Sequence, residues 1–175
     1  MQTTANIDRR SILKTTGWVL PVAIIFPIIV HLIPPYNGIP IGAYLLPMFY
    51  IPFVALVWYR LPVAMIVAAL APILNFTLTG NPNWGFMAIL TTELILFTFL
   101  AYLMLKGNLK WVAAPLSYIG AKVISSVLLF AIPILDTDPF NFFMGSLTTA
   151  APGILILFLI NVLAIKYNPT NNSGS

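Results

Sequence analysis

Glu93 and Lys122 are ionisable residues that lie inside apolar runs long enough to cross a membrane. An unpaired charge at that depth costs about 2.5 kcal/mol or more, so each residue needs a partner. A carboxylate and an ammonium can neutralise each other, and they can also bind polar groups of a small ligand. His31, at the end of the first apolar run, is a third candidate. These residue types indicate polar recognition inside a membrane protein.

The spacing of the two charges predicts that they meet. Glu93 follows Trp84, the first residue of its apolar run, by nine positions, about 13 Å along a helix. Lys122 precedes Pro133 by eleven positions, roughly 16 Å from the same side of the membrane. The two runs are consecutive and antiparallel, so an ion pair between them is geometrically easy. The pair is either a clamp between two helices or part of a polar site. We favour the polar site, because a clamp could be made by two apolar residues at a lower desolvation cost.

Other polar and aromatic side chains collect near the same end of the predicted helices. Asn75 and Thr79 lie one turn apart, so they share a helix face. Because an amide at that depth needs a partner, Asn75 is the best single candidate for a ligand contact. The remaining candidates are Tyr36, Asn37, Tyr44, Met48, Trp84 and His31, although Tyr36 and Trp84 also fit an interfacial aromatic belt and His31 an interfacial histidine. The other half of the helices has only a basic rim, which favours a pocket open to one side over a continuous pore.

The composition requires lipid as the solvent. Of the 175 residues, 60% are hydrophobic and only 7% are charged, whereas soluble domains carry about 25% charged residues. The predicted membrane spans are residues 15–33, 40–59, 61–79, 84–106, 109–133 and 140–167. We therefore expect an all-α domain of six transmembrane helices over residues 15–167, between a basic segment 1–14 and a polar tail 168–175. No small-residue cleavage site follows the first run, so that run is expected to be retained.

The placement of charge predicts the orientation of these spans. With the N-terminus inside, seven of the eight basic residues lie at cytoplasmic positions, and the only charges in the three outer loops are Asp136 and Asp138. This asymmetry follows the positive-inside tendency. Both termini are therefore expected in the cytoplasm, the protein in the cytoplasmic membrane, and the polar cluster on the outer side.

Small residues recur at a spacing of four in three of the runs. The ladders are Ala113, Ser117, Ala121 and Ser125; Gly145, Thr149 and Gly153; and Ala64 and Ala68. Such ladders allow helices to approach closely. Most are expected to be contacts within the bundle, and one could dock another membrane protein.

The sequence lacks the residues that several classes of function require. It has one histidine and no cysteine, and it contains no HExxH, GxSxG or P-loop motif. It also lacks the basic stripe that nucleic-acid binding requires. We expect a binding or transport protein, not an enzyme, with no metal, no other cofactor and no nucleic-acid partner. Active transport would have to use the energy of a partner.

Six short motifs follow one another in a distinctive order. They read GAYLLPMFYIP at residues 42–52, LPVA at 61–64, APILNFTLTGNP at 71–82, TEL at 92–94, GAK at 120–122 and APGI at 151–154. This order resembles that of the substrate-binding S components of energy-coupling factor (ECF) vitamin transporters, over residues from about 40 to 166. The chain departs from that family at Phe49, where the family has histidine, and at Lys122, where it has arginine. Lysine cannot make the planar two-pronged contact that arginine makes.

The resemblance implies a six-helix bundle that binds a vitamin near the outer face and works with a membrane scaffold subunit and two ATPase subunits. The pocket residues it implies are Asn75, Thr79, Asn81, Trp84, Glu93 and Lys122. Tyr36, Asn37 and the loop at residues 136–138 would form a lid. A pantothenate- or niacin-like carboxylate would suit Lys122, whereas a corrinoid would use a wider pocket with His31 as the metal ligand.

Two other classes remain open from the sequence. A structural membrane scaffold of the MreD type would have a cytoskeletal partner and no ligand. A solitary small transporter or channel would move its substrate without an ATPase. The polar cluster favours ligand capture over the scaffold, and the apolar inner half of the helices disfavours the channel.

Overall fold

The computed structural model describes residues 9–80, 83–135 and 137–168, and within these ranges every regular element is a helix. The α-helices are α1 (Arg9–His31), α2 (Ile41–Leu45), α3 (Pro47–Trp58), α4 (Leu61–Thr79), α5 (Trp84–Lys106), α6 (Ala113–Ala131), α7 (Pro139–Thr149) and α8 (Ala151–Lys166). A single turn of 3-10 helix at Lys110–Val112 precedes α6. The all-α prediction is confirmed for the described part of the chain.

Within the described residues, five helical segments are long and apolar enough to cross a membrane. They are α1, α2 with α3, α4, α5, and the 3-10 turn with α6. The pair α7 and α8 forms a sixth segment when the two bent helices are counted as one span. The predicted membrane-spanning bundle is therefore confirmed at five or six spans. Helix α1 begins at Arg9, six residues before the predicted start of the first span, because the helix includes residues 9–14 of the basic segment.

The second predicted span is two helices because the chain breaks at Leu46. Pro47 lacks an N–H group and its ring restricts the preceding residue, so Leu46 leaves the right-handed helix. Its φ of 56° and ψ of 41° are left-handed values, which are costly for a non-glycine residue. The N–H of Leu46 donates to the carbonyl of Gly42 at 3.0 Å, and the hydroxyl of Tyr50 donates to the carbonyl of Leu45. These two bonds hold the break.

The last predicted span is bent, since α7 and α8 meet at an angle of 61°. Pro152 cannot donate a backbone hydrogen bond, and its ring displaces the carbonyl four residues earlier. The bend corrects the expectation that Gly145, Thr149 and Gly153 form one continuous ladder. Gly145 lies on α7 with open space around it, whereas Gly153 on α8 packs against the chain at Tyr44. None of the residues of α7 is buried.

The core joins α3, α5 and α6 through interlocked aromatic rings. Phe49 packs edge-on against Phe97 and against Tyr118, with both pairs of ring centroids 5.1 Å apart. Such edge-to-face pairs are stabilising beyond the area that they bury. The predicted ladder of small residues on α6 is buried along its whole length (Ala113, Ser117, Ala121 and Ser125), as are Ala64 and Ala68 on α4. Both ladders are therefore contacts within the bundle.

A buried amide on α8 anchors that helix to the start of α6. The side chain of Asn161 is fully buried; its Oδ1 accepts a hydrogen bond from the N–H of Ala114 at 2.9 Å, and its Nδ2 donates to the carbonyl of Lys110 at 3.0 Å. Asn161 is not among the predicted functional residues, because one asparagine in an apolar run has no local pattern that identifies its partners.

The Asn161→Leu variant should lose about 2 kcal/mol of unfolding free energy, since the buried N–H of Ala114 would remain without an acceptor. Unfolding by sodium dodecyl sulfate, titrated into mild detergent, measures the change. The matched control is Asn141→Leu, at an exposed position on α7, which should change the stability by less than about 0.5 kcal/mol. Equal effects of the two variants would contradict the anchoring role of Asn161.

Candidate ligand-binding site

A cavity of about 970 Å³ lies at one end of the bundle, which we call the cavity end. Its wall comes from the last turns of α1 and α4, from α2 and the start of α3, from the first half of α5, from α6 and from α7. Apolar groups form most of the wall. The polar side chains that line it are His31, Asn75, Thr79, Glu93, Lys122, Asn141, Ser146 and Thr149. The cavity has the size and character of a site for a small molecule.

The deepest polar feature of the cavity is an ion pair between α5 and α6. The Nζ atom of Lys122 lies 2.8 Å from both carboxylate oxygens of Glu93. Only 9% of the lysine side chain and 2% of the glutamate side chain are exposed. The predicted ion pair is therefore confirmed. Because an ammonium has three donors and the carboxylate takes two, one N–H of Lys122 is left for another acceptor.

Three further residues surround this pair, namely Ser125, Phe142 and Tyr118. None of them is among the predicted site residues. The hydroxyl of Ser125 donates to Oε1 of Glu93 at 2.8 Å. The Nζ of Lys122 also lies 4.7 Å from the ring centroid of Phe142 and 5.9 Å from that of Tyr118, within cation–π range. Ser125 could have been found from the sequence, because it lies three positions after Lys122 on the same helix face. Phe142 could not, because it belongs to a different helix, α7.

Asn75 lines the cavity and also attaches α4 to α1. Its Nδ2 donates to the carbonyl of Ile24 at 3.2 Å, and only 4% of the residue is exposed. The hydroxyl of Thr79 donates to the backbone carbonyl of Asn75 at 2.8 Å, within the same helix. The partner that the sequence required for this amide is thus a backbone carbonyl of α1.

His31 lies at the end of α1, against the start of α2. Its Nδ1 is 2.7 Å from the carbonyl of Pro27. A carbonyl can only accept, so Nδ1 carries a proton in this hydrogen bond. The ring packs on Gly42, where a methyl group would come within 2.6 Å of Nε2. In the ranges that the structure covers, no three His, Asp or Glu side chains lie close enough together to hold a metal ion.

Met48 lines the cavity as well, but four other predicted site residues do not: Tyr36, Asn37, Tyr44 and Trp84. Tyr36 is 62% exposed and packs its ring against that of Tyr44, with centroids 6.1 Å apart. Asn37 lies in the same connection, with a φ of 50°. Trp84, the first residue of α5, is 59% exposed, which fits the alternative prediction of an interfacial aromatic residue.

Two parts of the predicted site fall outside the described residues, namely Asn81 and Asp136. The other acidic residue of the predicted lid, Asp138, caps α7. Its carboxylate accepts a hydrogen bond from the N–H of Asn141 at 3.0 Å. This bond supports the first turn of α7.

The charges and rings of the wall determine which molecules the cavity can accept. Among the described residues of the wall, Glu93 and Lys122 are the only formally charged side chains, and their charges cancel. Five aromatic side chains contribute the large apolar surfaces, namely Phe49, Phe76, Phe86, Tyr118 and Phe142. Such a wall accommodates a compact, largely apolar molecule with a few polar groups and no net charge.

Comparisons of the chain with family models, with curated proteins and with solved structures find no match. The function must therefore be inferred from the cavity and its side chains.

Proposed function

We propose that this protein captures a small nutrient of vitamin size in the cavity and delivers it across the membrane as the S component of an ECF-type transporter. The observation that carries the proposal is the cavity of about 970 Å³ with the buried Glu93–Lys122 pair in its wall. A scaffold needs neither a cavity nor a buried charge, and buried charges inside a membrane mark ligand or ion sites more often than they mark clamps.

The basic residues support an outward orientation of the cavity. Arg60, Lys106 and Lys166 lie at the ends of α4, α5 and α8 that are opposite to the cavity end, which we call the basic end. Arg9 and Lys14 belong to the first turns of α1, whose last residue is at the cavity. Since basic residues favour the cytoplasmic side, both termini are cytoplasmic in this proposal and the cavity faces outward.

The ligand we propose has no net charge: it is neutral or zwitterionic. A ligand with a net charge would leave one charge uncompensated in a wall whose own charges already cancel. One acceptor of the ligand would take the free N–H of Lys122, and a flat ring would stack among the aromatic side chains. A carboxylate-bearing ligand would therefore also carry a positive group, which the oxygens of Glu93 would receive.

The transport step requires partners in this proposal. The sequence contains no nucleotide-binding motif, so a membrane scaffold subunit and two ATPase subunits would supply the energy. Helix α7 is suited to open and close the cavity, because it lines the wall while burying none of its own residues. Elements with few buried contacts are the ones that move most readily.

A cavity-filling substitution tests the proposal. Gly145 lines the cavity, and a Cβ atom added there meets nothing within 4 Å. The Gly145→Trp variant should therefore fold normally but lose at least about tenfold in ligand occupancy, because the indole occupies the space. The measurement is native mass spectrometry of protein purified in mild detergent, with identification of the molecule released on unfolding.

The matched control is Gly17→Trp, at another open position, on α1 away from the cavity. This variant should keep the occupancy of the wild type, near one ligand per protein. If the wild-type protein carries no small molecule and takes up none from a mixture of water-soluble vitamins, ligand capture is wrong. The scaffold of the MreD type would then be the better interpretation.

A further inference from the structure

A second cavity, of about 580 Å³, lies at the basic end of the bundle. Arg60 at the start of α4, Lys106 at the end of α5 and Lys110 in the following turn all line it. None of the described residues that form its wall is acidic. The remainder of the wall combines two tyrosines, Tyr59 and Tyr102, and Asn168 with apolar side chains from α3, α4, α5 and α8. The wall thus combines three cations with apolar surface.

The three cations have no counter-charge near them in the described ranges. Lys106 lies over the ring of Tyr102, with its Nζ 4.2 Å from the centroid, and Lys110 lies 5.6 Å from the ring centroid of Trp111. The acidic residues whose positions are described, Glu93 and Asp138, both belong to the cavity end. Three like charges around one cavity repel one another, and an anion between them would remove that repulsion.

The start of α4 adds to this positive potential. Arg60 immediately precedes the helix, and its side chain makes no capping hydrogen bond. The first N–H groups of a helix carry a partial positive charge and remain free when no cap accepts from them. Leu61 and Pro62, the first two residues of α4, line the same cavity. Because Pro62 has no N–H group, only Leu61 of these two contributes one.

We propose that the basic cavity binds a phosphate group, carried either by an anionic phospholipid headgroup or by a small soluble phosphate ester. Arg60 would grip the phosphate with its planar guanidinium, while Lys106 and Lys110 would act as point charges. Basic cavities between membrane helices are suited to such headgroups. The aliphatic part of the wall would receive the glycerol and the first acyl carbons of a lipid. This site is independent of the nutrient site and does not rest on it.

The first arm of the test presents phospholipids to the full-length protein. Wild-type protein in mild detergent is titrated with dioleoylphosphatidylglycerol or with dioleoylphosphatidylcholine, and bound lipid is counted by native mass spectrometry. The anionic lipid should bind at least about fivefold more tightly. The variants Arg60→Gln, Lys106→Gln and Lys110→Gln should each weaken its binding about fivefold, whereas Lys106→Arg should retain it.

The second arm replaces the lipid by glycerol 3-phosphate, measured by calorimetric titration. If this ester binds and the three neutral variants weaken it, while the two lipids bind equally, the phosphate comes from a soluble ester. If the anionic lipid is preferred and the ester does not bind, the phosphate belongs to a lipid headgroup.

The matched control is Lys166→Gln, which removes one charge at the same end from a residue that does not line the cavity. It should change the affinity for either probe by less than about twofold. An effect as large as that of the cavity variants would mean that diffuse surface charge attracts the anion, which overturns the site. The proposal is also overturned if neither probe binds more weakly to the cavity variants than to the wild type. All four substituted cations are exposed, so the variants should fold.

Discussion

The Lys122→Met variant is expected to lose about 3 kcal/mol or more of unfolding free energy and to bind no ligand. Removal of the ammonium leaves the carboxylate of Glu93 without a counter-charge at a position where only 2% of the side chain is exposed. Breaking a buried ion pair from one side is far more costly than removing the whole pair, because the remaining charge stays desolvated. Unfolding by sodium dodecyl sulfate measures the stability, and native mass spectrometry measures the ligand.

The matched control is Lys166→Met, the same chemical change at an exposed position, which should alter the stability by less than about 0.5 kcal/mol. The informative companion is the double variant Glu93→Met/Lys122→Met. It removes both charges and replaces them by apolar side chains, so it should recover most of the lost stability. Ser125, the third member of the cluster, would then donate to the backbone carbonyl of Lys122, from which it already lies 3.1 Å away.

The double variant separates the two roles that the sequence left open for the pair. If the pair contacts ligand, the double variant should be stable and empty. If the pair is only a clamp between α5 and α6, the double variant should be stable and carry as much ligand as the wild type. If the double variant is no more stable than Lys122→Met, then leaving the charge of Glu93 unpaired does not cost more than removing the whole pair, contrary to our expectation.

The ion pair could be predicted from the sequence because it depends mainly on one quantity, the depth of each residue along its helix. Two antiparallel helices joined by a short connection leave only the depth of each residue to be matched, and depth follows from counting residues. Asn75 and Thr79 were identified for the same reason, since they lie one turn apart on one helix. That these two residues share a helix face depends on no contact between distant parts of the chain.

The sequence pattern does not determine the rotation of each helix about its own axis. Trp84 is among the predicted pocket residues, but the cavity is lined instead by Phe86, two positions later and about 200° around the helix. Only the packing of α5 against its neighbours decides which of the two faces inward. Phe142 was missed because its contact with Lys122 joins different helices, and such a contact leaves no pattern in the local sequence.

Each of the two breaks in the predicted spans is followed by a proline. Pro47 and Pro152 were visible in the sequence, and each stands one or two residues after a break. Prolines alone could not have predicted them, because α1 contains Pro21 and Pro27 within one continuous helix. The difference lies in the surroundings: the break at Leu46 lies at the cavity wall and against α8, where packing fixes the interrupted backbone.

The close approach of α8 to the break at Leu46 leads to the second prediction of large effect. A Cβ atom at Gly153 would lie 2.6 Å from the carbonyl oxygen of Tyr44 and 2.8 Å from Cγ of Leu46. Real Cβ atoms do not approach a backbone oxygen so closely, and the backbone around Leu46 is already held in a left-handed conformation. The Gly153→Ala variant should therefore lose about 3 kcal/mol of unfolding free energy, at the upper end of the cost of overpacking a core.

The matched control is Gly17→Ala, the same substitution at a helical position where the added methyl group meets nothing within 4 Å. It should be neutral or stabilising by up to about 1 kcal/mol, because alanine favours the helix over glycine. If Gly153→Ala were as stable as this control, α8 would not be held against α2 and α3 by the contact at Gly153.

Because α2, Leu46 and α7 all contribute to the cavity wall, the same displacement of α8 that destabilises Gly153→Ala should also weaken ligand binding. The Lys122→Met variant should lose ligand for a different reason, which is the absence of a charge. Unlike Gly153→Ala, it should leave the shape of the cavity intact.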